Sequence, residues 1–394
     1  MRKILILIGI LTLFIFAGGT ALAFDEQSII DHQRDAIGAH EVERAIPQEA
    51  QDLLDGVDIG AMTRFEDAVP RVFANTIGRM GSVLREAARN AALVMVVAVL
   101  LGLLHTVYAG SGAGGDGGAG GVPNFVPLVG VLAVSAVALG SSHAFIGLGV
   151  GTLRQLNDFS TALLPAMALA GTASGAFTAA TVQYAGTALF LSVLMTVTER
   201  IVMPLIYAYI AASIGSAALG SGFGGPGNGG GSLGGDGLEG AANLLKWATG
   251  IIITAIMLAF VGYITVTGVV AGSADALTTR FAKTAISTAL PVVGGIAADA
   301  AGTVIAGAAM VRNGIGVVGL LAVLALCLLP TLQLGTHYLL FKLAGGLSGA
   351  VSDRRLGSLI GSLGTAFGMV MGLTGAGAMM LFFAIISMMR VVTA

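Results

Sequence analysis

Ionisable residues are rare in the second half of the chain, and a small group of them stands out there. Arg280, Lys283, Asp299 and Arg312 fall within 33 consecutive positions and supply four of the eighteen Lys, Arg, Asp and Glu residues in 91–394. A charged side chain in apolar surroundings is costly unless it is paired or reaches water. The group therefore predicts ion pairing, a subunit contact or the polar lining of a pore. For Asp299 the alternative is a loop end at the level of lipid headgroups.

Pro291 lies inside this group, in a weakly apolar stretch, 285–310, that is rich in glycine and alanine. Proline removes a backbone hydrogen bond, and irregular backbone at membrane depth needs cover by protein or water. We therefore expect 285–310 to be an interrupted or re-entrant segment. The candidates for a pore lining or subunit contact are Arg280, Lys283, Pro291, Asp299 and Arg312.

Other residues that could do chemistry form no catalytic or metal-binding pattern. The five histidines lack the spacing typical of metal ligands. Cys327 is the single cysteine, so a disulfide within the chain is excluded, and we interpret it as a small packed side chain. The glycine-rich run 220–240 lacks the Gly-Lys-Ser/Thr ending of a phosphate-binding loop. We expect no enzyme activity, no cofactor and no metal.

The overall composition indicates which elements must position these residues. Of the 394 residues, 56% are hydrophobic and only 10% are charged, against roughly 25% charged in a soluble domain. Most of the surface must therefore face lipid or other protein. We expect an all-α polytopic membrane protein with six to eight spans of about 20 residues each. The net charge of −2 gives no reason to expect nucleic acid.

Composition divides the chain into five parts. Half of the forty charged residues lie in 24–90, and glycine is concentrated in two linkers, one at 109–121 and one at 220–240. The segment 24–90 is interpreted either as lying on the membrane surface or as a solvated helix that ends in the first span. The five parts are a signal peptide (1–23), a polar, partly helical extracytoplasmic segment (24–90), a first membrane half (91–219), a linker (220–240) and a second membrane half (241–394).

The signal peptide is predicted from Arg2 and Lys3, the apolar run 4–17 and the triplet Ala21-Leu22-Ala23. We expect cleavage after Ala23, so mass spectrometry of the membrane-extracted protein should find Phe24 at the N-terminus. An N-terminus at Met1 would show that the apolar run stays as an uncleaved first helix, with the polar segment still outside the cytoplasm.

Two segments of the membrane body contain similar sequences, and both are interpreted as too short or too broken to be plain membrane spans. Residues 160–165 read Ser-Thr-Ala-Leu-Leu-Pro, and residues 287–291 read Ser-Thr-Ala-Leu-Pro. Paired interrupted segments are typical of transporters built from two repeats. Coincidence in a chain rich in alanine and leucine is the other explanation. A stand-alone secondary transporter with two related halves is therefore the alternative function.

Several sequence runs around the ionisable group, and one run that follows Glu199, carry a family resemblance. The runs are Leu277-Thr278-Thr279-Arg280-Phe281-Ala282-Lys283, Leu290-Pro291-Val292-Val293-Gly294, Asp299-Ala300, Val304-Ile305, Asn313-Gly314-Ile315-Gly316 and Arg200-Ile201-Val202-Met203-Pro204-Leu205-Ile206. They resemble the stage III sporulation protein AE family, and the resemblance covers most of 80–394. The order of signal, polar region and multispanning body is also similar to that family.

This resemblance implies a multi-pass membrane subunit of the channel-like complex that joins mother cell and forespore in endospore-forming bacteria. The implied partners are the lipid bilayer, the other stage III sporulation A-operon proteins, including an ATPase and ring-forming subunits, and indirectly the forespore stage II sporulation protein Q. The implied location is the mother-cell membrane around the forespore, with 24–90 facing the intermembrane space. The family supplies no catalytic residues.

Overall fold

Nearly all of the described chain is helical. The computed structural model describes residues 32, 34–54, 65–110, 125–222, 233–289, 294–351 and 354–390, and no β-strand occurs in these ranges. A π-helical turn, Thr198–Val202, joins α5 to α6. The helices are α1 (Ala39–Arg44), α2 (Gln48–Gln51), α3 (Phe65–Gly110), α4 (Phe125–Ala173), α5 (Phe177–Val197), α6 (Met203–Gly222), α7 (Leu233–Ala289), α8 (Gly294–Val351) and α9 (Arg354–Arg390).

Some sequence expectations fall outside these ranges. The signal peptide 1–23 does, as do Pro291, residues 111–121 of the first glycine-rich linker and residues 223–232 of the second. The second linker is shorter than predicted, because 220–222 belong to α6 and 233–240 to α7. Lys283 and Asp299 lie on helical backbone, but their side chains are outside the described set.

Five helical segments in the described residues are long and apolar enough to cross a membrane. The described residues are therefore all-α, as the composition predicts, and five candidate membrane-spanning helices lie among them. The expected count of six to eight spans stays a prediction. The segments are Ala68–Leu103, Phe177–Leu219, Gly237–Thr278, Ala301–Ala350 and Arg354–Arg390.

Charged residues end the apolar runs of the sequence but do not end the helices. Glu199 and Arg200 separate the apolar runs 181–198 and 201–219, yet the backbone stays helical through the π-helical turn. The Glu199 carboxylate reaches sideways to Arg154 of α4, whose Nη2 and Nε donate to it at 2.7 and 3.1 Å. Two runs that hydropathy separates thus form one continuous helix, the α5–α6 rod, because backbone hydrogen bonding continues past a charged side chain.

Pro165 does not interrupt α4, contrary to the expectation for 159–173. The helix is unbroken through this position, although proline leaves a carbonyl of the preceding turn without its usual donor. One turn before Pro165, the hydroxyls of Ser160 and Thr161 donate to the carbonyls of Asn157 and Asp158, at 2.6 and 2.7 Å. The argument for two repeats therefore loses the first of its two interrupted segments.

Helix α7 runs antiparallel to the α5–α6 rod. Tyr263 Oη donates to Val182 O at 2.8 Å, and the Tyr263 ring occupies the space beside Gly186, where a Cβ atom would collide with it. Toward the other end of the rod, Leu238 lies against Gly215. This pairing places the C-terminal half of α7 beside the start of α5.

Helices α8 and α9 form a hairpin in which glycine backbones touch. A Cβ atom on Gly357 would lie 2.6 Å from Gly345 O and from the backbone of Gly349. A Cβ atom on Gly345 would lie 2.7 Å from Gly357 O and from Gly361 N. Small residues four apart let two membrane helices approach this closely. The contact therefore requires glycine on both helices.

The polar N-terminal segment packs on the helical body. Leu53 is buried, and Gln155 of α4 donates to Glu49 of α2 at 3.1 Å. Asp52, which follows α2, accepts from Arg79 of α3 at 3.2 Å. The segment therefore docks at the level of the ion pair between α4 and the π-helical turn.

Helix α3 carries the polar region directly into the first apolar run. It is continuous over Phe65–Gly110, so 65–90 is not a separate helix. Val72 is buried, whereas Phe73 and Ile77 are 42% and 65% exposed. The helix therefore crosses the boundary predicted at residue 90 and joins the polar segment to the first apolar run.

Candidate functional site

The structure separates the candidate residues that the sequence grouped. Arg312 of α8 is 1% exposed, whereas Arg280 of α7 is exposed. The side chains of Lys283, Pro291 and Asp299 are outside the described set. Among the described side chains of this group, Arg312 alone lies in the interior.

Arg312 joins the C-terminal ends of two helices. Its Nη2 donates to Met389 O in the last turn of α9 at 3.0 Å, and its Nη1 donates to Ser174 Oγ, just after α4, at 3.2 Å. The last carbonyls of a helix lack partners within the helix, and the negative end of the helix dipole favours a cation. The guanidinium therefore lies where two helices supply partial negative charge. Its Nε has no hydrogen-bond partner among the described residues.

The chain reverses from α4 to α5 through a Schellman-type turn. Ala176 N donates to Gly171 O at 2.9 Å, and Gly175 N donates to Thr172 O at 3.0 Å, which is the pattern of this C-terminal motif. Gly175 has a φ of 87°, a left-handed conformation that glycine adopts without steric cost. The turn presents its serine hydroxyl to Arg312.

Asp275 of α7 stabilises the other side of this turn. Its carboxylate oxygens accept from the N–H groups of Thr178 and Ala179 at 3.0 and 2.7 Å. These residues are in the first turn of α5, whose own N-cap residue, Ala176, makes no side-chain cap. A side-chain acceptor at this place caps the helix, and its negative charge suits the positive end of the helix dipole. A carboxylate from another helix thus replaces the missing cap.

Arg312 and Asp275 together hold one buried turn with opposite charges at helix ends of opposite polarity. Asp275 is 6% exposed, so both side chains lie largely inside the helical body. Sequence reasoning missed the role of Asp275, because the capping contact joins Asp275 and Ala179, which are 96 positions apart. A signal did exist: an acidic residue within the apolar part of a long helix requires a donor.

Two buried polar residues continue along the same face of α5. Gln183 and Thr187 are 0% exposed, and they follow Ala179 at intervals of four residues, which keeps them on one helix face. The two amide atoms of Gln183 and the hydroxyl of Thr187 have no hydrogen-bond partner in the described part of the chain. Sequence reasoning missed them because two neutral polar residues barely change the hydropathy of 181–198.

A buried histidine lies among aromatic rings further from the turn. His337 Nδ1 donates to Gln333 O at 2.8 Å. The His337 ring centroid is 3.8 Å from that of Phe145 and 5.8 Å from that of Phe367. These contacts describe a packed side chain whose tautomer is set by a backbone carbonyl.

The helical body, including the turn and the residues that hold it, matches a known family. The sequence model of stage III sporulation protein AE matches residues 65–221 and 233–392. The chain belongs to this family. The two matched stretches are separated by 222–232, which lies within the second glycine-rich linker.

A relative within the stage III sporulation protein AE family is the protein of that name from Bacillus subtilis (strain 168). It is 27% identical over 213 residues, which cover 54% of this chain and 49% of the relative. The chain therefore matches about half the length of this relative. No solved structure matches the chain.

Proposed function

We propose that this chain is an integral membrane subunit of the channel-like complex that joins mother cell and forespore during endospore formation. Membership of the stage III sporulation protein AE family over 65–221 and 233–392 is the observation that carries the proposal. The five candidate membrane-spanning helices support the membrane location. In this role the chain positions other subunits and contributes to a passage, without catalysing a reaction and without a cofactor.

The proposed partners are the lipid bilayer, the other stage III sporulation A-operon proteins and, indirectly, stage II sporulation protein Q. The outer surface of α7 supports contact with lipid or with other subunits. Leu258, Val266 and Val269 are exposed there. Only 17% of the 18-residue apolar stretch of this helix is buried within the chain. The N-terminal segment is proposed to face the intermembrane space, where companion subunits would reach it.

A stand-alone transporter with two related halves and six to eight spans is the second candidate. Such transporters bind substrate at paired discontinuous helices. Helix α4 is continuous through Pro165, which weakens this candidate. In the second segment, 285–310, helix is described at 285–289 and 294–310, and 290–293 lie outside the described residues. The observations therefore favour a subunit that acts within an assembly.

The proposal is tested by deleting the gene in the organism that carries it. Late forespore gene expression, followed with a fluorescent reporter, should stop in the deletion strain and return with an affinity-tagged copy. Mass spectrometry of that tagged copy, extracted in detergent from sporulating cells, should find the ATPase and ring-forming subunits. A tagged, unrelated multi-pass protein is the control. Normal sporulation would contradict the role, and a defect without copurifying subunits would favour the transporter.

A further inference from the structure

We infer that Gln183, Thr187, Gly268 and Ser387 surround a water-accessible site that enters the bundle from the Asp275 end. It stops at two leucines and so forms a passage open from one side. The inference rests on the membrane placement in the proposed function but not on the proposed partners.

The amide of Gln183 is the first observation. Its Nε2 and Oε1 atoms are fully buried and have no partner among the described residues. Native interiors almost always supply such atoms with a hydrogen bond, either from the protein or from an ordered water. Thr187 Oγ1 lies one turn further and shares this condition. Two neighbouring unpartnered groups on one helix face point to a common hydrogen-bonding ligand.

Gly268 of α7 supplies the space for this ligand. A Cβ atom on Gly268 would lie 3.5 Å from Gln183 Nε2 and 3.7 Å from Ser387 Oγ. Both distances are ordinary contacts, so a group the size of a methyl fits between α5, α7 and α9. No other described side chain comes within 4 Å of that position, and a water molecule beside it would find two polar side chains to bind. The side chains of the site carry no charge, which suits water or a small neutral solute.

The two ends of the passage follow from the α5 face. Asp275 binds the N–H group of Ala179, one turn before Gln183, and so supplies a hydrophilic entrance. On the other side of Thr187 the buried residues are Leu191 and Leu194. Apolar constrictions of this kind exclude water.

Packing around the leucines closes the passage. A Cβ atom on Gly377 of α9 would lie 2.4 Å from Leu153 Cδ2 and 3.5 Å from Leu194 Cδ2. Leu153 of α4 and Leu194 of α5 therefore pack against the bare backbone of α9 at Gly377, and three helices meet at the constriction. Water that enters past Asp275 therefore reaches Thr187 and goes no further.

Cysteine accessibility to silver ions tests the passage in proteoliposomes of the full chain. The background is Cys327→Ala, which removes the single native thiol. Thr187→Cys should be blocked by Ag⁺ roughly tenfold faster than Leu191→Cys or the outward-facing Leu189→Cys. The blocked fraction is read as loss of maleimide-dye labelling after denaturation. Equal rates at all three positions would overturn the inference.

A substitution that fills the space beside Gly268 provides a second test of the passage. Gly268→Ala places a methyl group in the proposed site without a collision and should slow the blocking of Thr187→Cys. Gly272→Ala is the matched control, because a Cβ atom there meets nothing within 4 Å. Equal slowing by both substitutions would overturn the inference.

If the cysteine variants fail to fold, a thermal unfolding measurement that needs no introduced cysteine tests the same inference. Gln183→Leu should lower the thermal unfolding midpoint or leave it unchanged, because a hydrated amide is already satisfied. A higher midpoint would show a dry, unpartnered amide and overturn the inference. These experiments need no partner protein, so their failure leaves the proposed complex standing. A chain that alkaline carbonate washes from membranes would instead contradict the membrane placement itself.

Discussion

Arg312→Met is expected to destabilise the protein by about 1–3 kcal/mol, although methionine also fills the interior with a long side chain. The substitution removes two hydrogen bonds from a charged donor, each contributing roughly 1.5–3 kcal/mol. It leaves Met389 O and Ser174 Oγ without this donor. Removing a buried charge also relieves a desolvation cost of roughly 2.5–3.5 kcal/mol at the centre of a membrane. Because Arg312 lies level with the ends of α4 and α9, that cost is smaller here, and the lost hydrogen bonds dominate.

Thermal unfolding of the detergent-solubilised protein measures this effect. Arg312→Lys should give an intermediate midpoint, because an ammonium group keeps the charge but lacks the planar fork that reaches two acceptors. Arg280→Met is the control at an exposed arginine and should change stability by less than about 0.5 kcal/mol. A midpoint for Arg312→Met at or above that of the wild type would show that desolvation outweighs the two hydrogen bonds.

Gly357→Ala is expected to destabilise the α8–α9 hairpin by more than about 2 kcal/mol. Its Cβ atom would lie 2.6 Å from Gly345 O and from the backbone of Gly349. Backbone atoms cannot rotate away as a side chain can, so the two helices would have to separate. The variant should show a lower unfolding midpoint in detergent and a lower level in the membrane fraction.

Gly361→Ala, on the same helix, is a control that should not lower the stability of the protein. A Cβ atom at Gly361 meets nothing within 4 Å, and alanine is favoured over glycine in a helix by about 1 kcal/mol. The control should therefore be neutral or stabilising. A loss of stability at Gly361 equal to that at Gly357 would show that glycine is needed for helix flexibility rather than for the close approach.

Composition predicted the helical membrane class because the chain has too few charged residues to cover a soluble surface. That prediction needs no knowledge of contacts. Hydropathy could not predict the length of the helices. Glu199 interrupts an apolar run, yet its partner Arg154 lies 45 positions away and allows the helix to continue. The polar N-terminal segment was predicted as a unit, but its docking depends on single contacts such as Gln155 with Glu49, which no periodicity reveals.

The candidate residues remain a prediction as a pore lining or subunit contact. Arg312 was singled out because an arginine in an apolar body needs partners, and among the described residues these are a serine hydroxyl and a helix-end carbonyl. These partners lie 138 and 77 positions away. Asp275 and Gln183 were missed because their importance arises only when α5 and α7 lie side by side. Sequence thus indicates which residues need partners, and tertiary packing decides which partners they find.

The length of the α5–α6 rod leads to a large hydrophobic mismatch. The apolar segment Phe177–Leu219 has 43 residues, or about 65 Å of helix, whereas the hydrocarbon core of a bilayer is about 30 Å thick. Tilting alone would require an inclination well beyond the roughly 40° seen for membrane helices. Part of the apolar rod must therefore stand outside the hydrocarbon.

The ion pair between Arg154 and Glu199 marks a natural boundary for that part. From Arg154 to the turn at Ser174 is about 30 Å of helix, one hydrocarbon thickness. A bilayer on either side of this ion pair leaves the helices on the other side outside the hydrocarbon, and α6 and the start of α7 carry exposed apolar side chains such as Leu244 and Trp247. An apolar projection of this kind needs a sheath of neighbouring protein, and the missing sheath is what a surrounding assembly would provide.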